Sequence, residues 1–423
     1  MVVQSQDGAV ARTAHFPLSF VEFVSLMALL MALTALSIDV MLPALPQIGQ
    51  TLGVADENDR QLIISVYFMG FAAGQFLFGP ISDHYGRKQP LLFGLALYTV
   101  GTVLALSSGS FHGLLSARVL QGFGAAAPRV IALAIVRDRF GGREMSRVMS
   151  FVMMVFILVP ILAPGAGEII LQLSSWRFIF YLLLVVAAVS MVWAWSRLPE
   201  TRHEEDRLPF SASSIWHATK LVITTRQTLG YMIGMGFVFG LLVSYIISAE
   251  QIFVDIYGLG SRFPIAFGAI AVFLVAASGL NAVLVRRIGM RGVSHRAIIG
   301  ALAVCALIAL AGFPEKPPLL VFCAFMAAIF FFFGIIMPNF SSLSMEPMGH
   351  IAGTASSLAG FYSTVAGAMF GTIIGRSFDG TVRPLFIGIA LLCLATFAVV
   401  LITERFRLIQ HKAAPDVEMP PAS

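Results

Sequence analysis

Four charged side chains fall inside apolar runs long enough to cross a bilayer: Asp39, Arg118, Arg129 and Glu250. A charge at mid-span costs about 2.5–3.5 kcal/mol on insertion scales, so such residues mark function by default. Asp39 sits in Ser37-Ile38-Asp39-Val40-Met41-Leu42-Pro43-Ala44-Leu45-Pro46, where the two prolines mark the outer end of the first run and strain its last turn. Arg118 enters its own run from the same side, roughly 9 Å deep at 1.5 Å per residue. If both face one cavity, the acid and the base pair or exchange partners. A carboxylate that loses its partner there can take a proton near neutral pH, the requirement for proton coupling. The alternative is a fixed ion pair joining two helices. Arg129 follows Arg118 at close to three helical turns, so the two share a face unless Pro128 kinks the helix. Arg129 either lines the cavity, favouring anionic or polar substrates, or snorkels to the inner surface. Glu250, in Ser248-Ala249-Glu250-Gln251, is either a second titratable acid lining the cavity or a residue already in outside water.

The elements that must hold these residues are helices in a membrane. Of 423 residues, 58% are apolar and 12% charged, and the mean hydropathy is +0.88. No soluble fold has a surface for that composition, and the apolar runs lack a polar face. Twelve runs are expected, at 19–44, 61–79, 90–109, 113–135, 147–171, 177–196, 229–253, 264–286, 295–313, 318–340, 352–375 and 383–403. The fold class expected is an all-α membrane protein with twelve transmembrane helices in two six-helix bundles. The expected units are an N-terminal tail (1–18), a first bundle (19–196), a linker (197–228), a second bundle (229–404) and a C-terminal tail (405–423). With both termini inside, nineteen Lys and Arg fall on the cytoplasmic side and six outside, a strong positive-inside bias. The count includes Arg12 and Lys412 in the tails. Cys305, Cys323 and Cys393 lie in apolar runs and read as packing residues. The net charge of +5 records topology and is no sign of a nucleic-acid partner.

Between the second and third runs lies Gly79-Pro80-Ile81-Ser82-Asp83-His84-Tyr85-Gly86-Arg87-Lys88, expected as a tight, charged, non-helical cytoplasmic turn. Its counterpart in the second half, Arg286-Arg287-Ile288-Gly289-Met290-Arg291, keeps a glycine before a basic residue but lacks the acid. An acid-dependent latch is therefore expected in the first half only. Such a duplicated six-span unit is the trace of a secondary transporter. Glycines four apart, as at Gly70/Gly74, Gly230/Gly234 and Gly367/Gly371/Gly375, permit close helix approach. Motifs for metalloprotease, serine hydrolase or phosphate-cradling chemistry are absent from the sequence, and no catalytic or metal site is expected.

With these residues in view the chain resembles the major facilitator superfamily across residues 17–408, and within it the bicyclomycin/chloramphenicol-resistance (Bcr/CflA) drug/proton antiporters. Gly79–Lys88 matches the superfamily's signature loop. The group resemblance rests on Ser37–Pro46, Arg118-Val119-Leu120-Gln121-Gly122, Met149–Met153, Pro160–Pro164, Ser175–Phe180 and Ala352–Gly360. The resemblance implies multidrug efflux against inward proton flow by alternating access. Asp39 would match the group's first-span acid and Arg118 its fourth-span arginine. Gly79, Asp83, Gly86, Arg87 and Lys88 would form the cytoplasmic gate motif. Three departures stand out: Glu168 replaces a glycine, Glu250–Gln251 replaces a small residue and proline, and Arg129 replaces a small residue.

The function expected is export of a small-molecule drug or metabolite across a bacterial inner membrane by proton antiport. It needs no cofactor beyond the proton gradient, and a monomer in the lipid bilayer is expected. An MFS carrier for an organic anion is the alternative, drawn to Arg118 and Arg129. A non-transporting sensor or assembly subunit is a third reading, for which an added soluble domain would be the usual sign.

Overall fold

The structure, a computed structural model, describes residues 17–202, 204–207 and 212–408. The expected tails, with Arg12 and Lys412, lie for the most part outside the described residues. Every regular element among the described residues is helical. In order they are α1 (Phe20–Asp39), α2 (Leu45–Leu52), α3 (Leu62–Tyr85), α4 (Lys88–Leu106), α5 (Phe111–Arg139), α6 (Gly142–Leu173) and α7 (Arg177–Arg197). Then come α8 (Ala212–Thr224), α9 (Arg226–Glu250), α10 (Phe263–Leu310), α11 (Leu319–Met345), α12 (Ala352–Arg376) and α13 (Arg383–Thr403). Helices are the outcome that hydrocarbon dictates, since each backbone polar group must be satisfied within its own segment.

Eleven stretches are long and apolar enough to cross a membrane. One of them, Gly260–Leu310, has 51 residues, about 75 Å at 1.5 Å per residue and so more than two bilayer cores. The expected runs 264–286 and 295–313 both lie in it, within α10. Only Gly289 leaves helical geometry there, at φ 71° and ψ 164°. Two arms meeting at Gly289 are consistent with twelve crossings.

The Gly79–Lys88 expectation needs correction. Helix α3 continues through Gly79, Pro80 and Asp83 to Tyr85, and the chain turns only at Gly86, with φ 90° and ψ 179°. Proline inside the helix is tolerated here, as it is at Pro128 in α5, Pro160 and Pro164 in α6 and Pro338 in α11. Gly86 and Gly289 thus share one backbone conformation, open to glycine at little cost, at equivalent places in the two halves.

Helices α1 and α3–α7 pack among themselves, as do α9–α13, and the two groups meet along α3 against α12 and α6 against α10. The α3–α12 seam runs antiparallel. Gly79 faces Ser357, Thr364 donates to Gln75 Oε1 at 2.8 Å, and Asn58 just before α3 bonds Phe378 O just after α12 at 3.1 Å. The end carrying Pro17 and Leu408 is called the terminal end below, and the opposite end the far end. Within the 197–228 connection α8 leaves Trp216 and Ile223 exposed.

The halves are packed with different materials. In the first, α3 and α5 touch backbone to backbone: a Cβ on Gly70 would collide with the Val119 carbonyl, and one on Gly122 with that of Tyr67. In the second, rings fill the space. Tyr245 stacks on Phe267 at 5.2 Å and meets Phe330 edge-on at 4.9 Å, and Phe322 continues the cluster to Phe386. Cys305 and Cys393 are buried and Cys323 half-buried, all free thiols.

Overpacking a close contact costs about 1–3 kcal/mol or more. Gly122→Val is therefore expected to lower the apparent melting temperature in detergent, measured by intrinsic fluorescence. Gly109→Val, with open space around it, should leave the melting curve in place.

Candidate functional site

Arg118, near the far-end start of α5, has no exposed surface. Its guanidinium is satisfied by neutral oxygens alone among the described residues. Nη1 donates to Gln121 Oε1 at 2.6 Å, Nη2 to the Ser37 carbonyl at 3.1 Å and Nε to the Ile63 carbonyl at 3.3 Å. The Tyr67 ring lies beneath it at 4.4 Å, a cation–π contact. Gln121 passes the network on to Thr102, whose hydroxyl donates to the Tyr98 carbonyl, and the Tyr98 hydroxyl meets Ser37 Oγ at 2.7 Å. Four helices, α1, α3, α4 and α5, are thus tied to one cation.

Asp39 is the last residue of α1, 3% exposed. The chain then passes through a short 3-10 turn, Leu42–Ala44, and into α2, where Pro43 and Pro46 occupy opening positions that need no N–H. The expected Asp39–Arg118 ion pair is not among those formed by the described residues. Arg118 instead grips the backbone of α1 two residues before Asp39, because Ser37 O is the acceptor that its fork reaches. The turn that follows, Leu42–Ala44, packs against α9 of the second half, which places this end of α1 toward the seam between the halves.

Arg129 is half-buried, with its guanidinium carbon 4.6 Å over the Phe156 ring of α6. It makes no ion pair among the described residues, and ten residues of helix separate it from the end of α5. That is about 15 Å of rise, too far for its head to reach the terminal-end surface directly.

Glu250 does not face water: it has no exposed surface. It closes α9 where the helix widens into a π turn, Gln251–Ile256, a geometry frequent at functional sites. Opposite lies the turn Glu57–Gln61, capped by Asp56. Arg60 of that turn stands 3.3 Å from Glu250 by its Nε and donates from Nη2 to Asp255 at 2.6 Å. Gln251 donates to Asn58 at 2.7 Å, and Arg376 pairs with Asp59 at 2.8 Å. These contacts join the two halves at the far end.

At the terminal end Arg87, 4% exposed, donates to Asp138 at 2.7 Å, Asp83 at 2.8 Å and Ser82 at 2.9 Å. Asp83 also accepts from Arg202. The Glu200 carboxylate receives the N–H groups of Arg87 and Lys88, at 2.8 and 3.0 Å, capping α4. Burial and the Asp138 and Asp83 carboxylates act oppositely on Arg87, and the carboxylates prevail, holding its proton above the ordinary guanidinium range. Arg87, Asp83 and Asp138 all belong to the first half and Arg202 to the linker after it, while Gly79 touches Ser357 of the second half. The second-half loop is not without acids, as its sequence suggested. Arg291 pairs with Glu346 at 3.0 Å and Glu404 at 3.2 Å. These carboxylates follow α11 and α13, as Asp138 ends α5 and Glu200 follows α7. The missing acid is supplied by other helix ends, which a local motif cannot display.

The sequence model described as Major Facilitator Superfamily matches residues 27–372. The chain belongs to the Major Facilitator Superfamily. It is 29% identical over 373 residues to the bicyclomycin resistance protein homolog of Haemophilus influenzae, covering 86% of this chain and 91% of that protein. It is 30% identical over 359 residues to a chloramphenicol resistance protein of Pseudomonas aeruginosa, covering 81% and 80%. The crystal structure of a D-xylose-proton symporter superposes with a TM-score of 0.73 at 13% identity, covering 93% of this chain and 98% of that one, a likeness of fold. The group anticipated from Ser37–Pro46 and the other stretches is the one these relatives represent. This superfamily member is a multi-pass protein of a bacterial inner membrane.

Sequence reasoning missed Arg60, Gln61, Asp255, Asp138 and the capping role of Glu200. The available signal was position: each sits within three residues of a helix end and carries a charge or an amide.

Glu200→Ala removes the cap of α4. A lost N-terminal cap costs about 0.5–2 kcal/mol, so the first amides of α4 should exchange hydrogen faster in a hydrogen–deuterium experiment. Glu204→Ala, at an exposed surface pair, should leave them unchanged.

Proposed function

We propose that this superfamily member exports small molecules, with drugs among them, from the cytoplasm by proton antiport. The relatives named for bicyclomycin and chloramphenicol resistance support the substrate class. The nineteen-to-six distribution of basic residues supports placing the terminal end in the cytoplasm and the far end outside. The proton gradient drives the cycle without a cofactor, and transport rather than bond chemistry is the task.

The observation that carries the coupling is the state of Asp39. It is a buried acid without an ionic partner among the described residues, at the end of the helix whose Ser37 carbonyl Arg118 holds. A buried acid without a cation matches the proton-loaded half of an exchange cycle. Loss of the proton to the cytoplasm leaves a carboxylate that Arg118 or a cationic substrate would compensate. Either choice shifts the balance between inward-open and outward-open forms by as much as the two states differ in binding it.

A second reading, a substrate carrying an anionic or strongly accepting group, is favoured by Arg129. Its cation is half-buried deep in α5 with an aromatic ring as its described contact. A planar acid would place its charge on that guanidinium and its ring against Phe156.

Asp39→Asn is expected to reduce pH-gradient-driven efflux of chloramphenicol or any other exported compound to background in everted vesicles, while binding persists. Intact driven efflux would remove Asp39 from the coupling role. Arg129→Gln is expected to weaken competition by 1-naphthoate and spare 1-naphthamide, its neutral match.

A further inference from the structure

At the outer end of the seam two acids of the second half share one cation of the first. Arg60 is 6% exposed and Glu250 fully enclosed. The shorter, hydrogen-bonded contact of Arg60 goes to Asp255 at 2.6 Å, whereas Glu250 receives only a flank approach from Nε at 3.3 Å. Neither Glu250 oxygen has a hydrogen-bond donor of normal geometry among the described residues, and Arg60 Nε likewise has no acceptor. The fully buried Gln61 carboxamide lies against Glu250 and leaves both of its own polar atoms unpaired. The remaining charges nearby are already accounted for. Arg376 belongs to Asp59 and Arg383 to Glu315, while Glu57 is exposed and adds further negative charge 4.0 Å from Arg60. Asp255 keeps 37% of its side chain exposed, so water shares its charge, whereas ionised Glu250 has no such relief and must divide Arg60 with Asp255. An uncompensated charge away from water is costly, and two carboxylates around one site hold a proton more readily than one.

We propose that Glu250 is a proton-binding site of the outer closure, filled from outside water and sealed as Arg60 docks onto Asp255. In the step, a proton from outside water adds to a Glu250 oxygen and no other bond changes. Arg60 stays charged and keeps Asp255 as its partner. The neutral acid, now a donor, turns to Gln61 Oε1, and the enclosed carboxylate that Arg60 compensated only in part loses its charge. The open form exposes Glu250 to water, where it ionises freely. Closure and proton uptake therefore favour one another, each by the same factor. Lower external pH should close the outer face, and higher pH should release it. The site is separate from Asp39, so it gives the cycle a proton checkpoint at the outer gate.

The test uses the full chain in nanodiscs, with Cys305, Cys323 and Cys393 replaced by alanine. Nitroxide labels sit at exposed Ala55→Cys and Ser261→Cys on either side of the closure. Electron–electron distance distributions are recorded from pH 5 to 9. The expected result is a short-distance population that grows as pH falls. Glu250→Gln, an isosteric stand-in for the protonated acid, should keep the short distance at every pH, with loss of the titration. Asp255→Asn leaves one acid for one cation and should move the midpoint to lower pH. Asp39→Asn, which removes the coupling acid of the transport reading, should leave the outer titration intact. A titration that survives Glu250→Gln, or one abolished by Asp39→Asn, would overturn the proposal. Loss of transport in Asp39→Asn with an intact outer titration separates the two carboxylates.

Discussion

A guanidinium with no access to water has to find acceptors where it lies, and the first half of this protein is arranged around that requirement. Arg118 takes the Ile63 carbonyl of α3, the Ser37 carbonyl in the last turn of α1, where helical partners run out, and a side-chain amide from its own helix. Each of those groups is held in turn by a neighbour, through Thr102, Tyr98 and Ser37. Moving any one of four helices would strand a donor on a charged group, a loss of the order of 1.5–3 kcal/mol per bond. The network ends two residues short of Asp39, which it leaves without an ionic partner among the described residues.

The two ends of the molecule handle charge differently. At the terminal end Arg87 and Arg291 each draw two carboxylates, and these clusters brace one half apiece. Asp83, Asp138, Glu346 and Glu404 all keep some exposure, so water shares the excess negative charge. At the far end the cluster crosses between halves, and although Asp255 is exposed Glu250 is sealed. The one carboxylate that water cannot reach is the one with the weaker hold on a cation.

Much of this was legible beforehand. The apolar runs announced helices, and intramembrane charge singled out Asp39, Arg118, Arg129 and Glu250. What could not be read was azimuth. Two residues at equal depth on different helices meet only if both point the same way, and the prolines after Asp39 and before Arg129 disturb that bookkeeping. Arg118 also had acceptors that no side-chain pattern reveals, since carbonyls are present everywhere. Gly79–Asp83 looked like a turn because glycine, proline and aspartate cluster there. Yet a helix in a packed bundle tolerates them, and Gly86 alone breaks it. Arg60 looked like a loop residue among acids and amides. Its burial comes from a partner nearly two hundred residues away.

Backbone laid on backbone at Gly70 and Gly122 has a consequence for motion. Peptide planes in contact cannot slide or rotate past one another without atomic overlap, so α3 and α5 travel as a single girder. The second half is filled differently, by the buried, mutually nested rings of Tyr245, Phe267 and Phe330. A seam between two such halves is therefore not built symmetrically here.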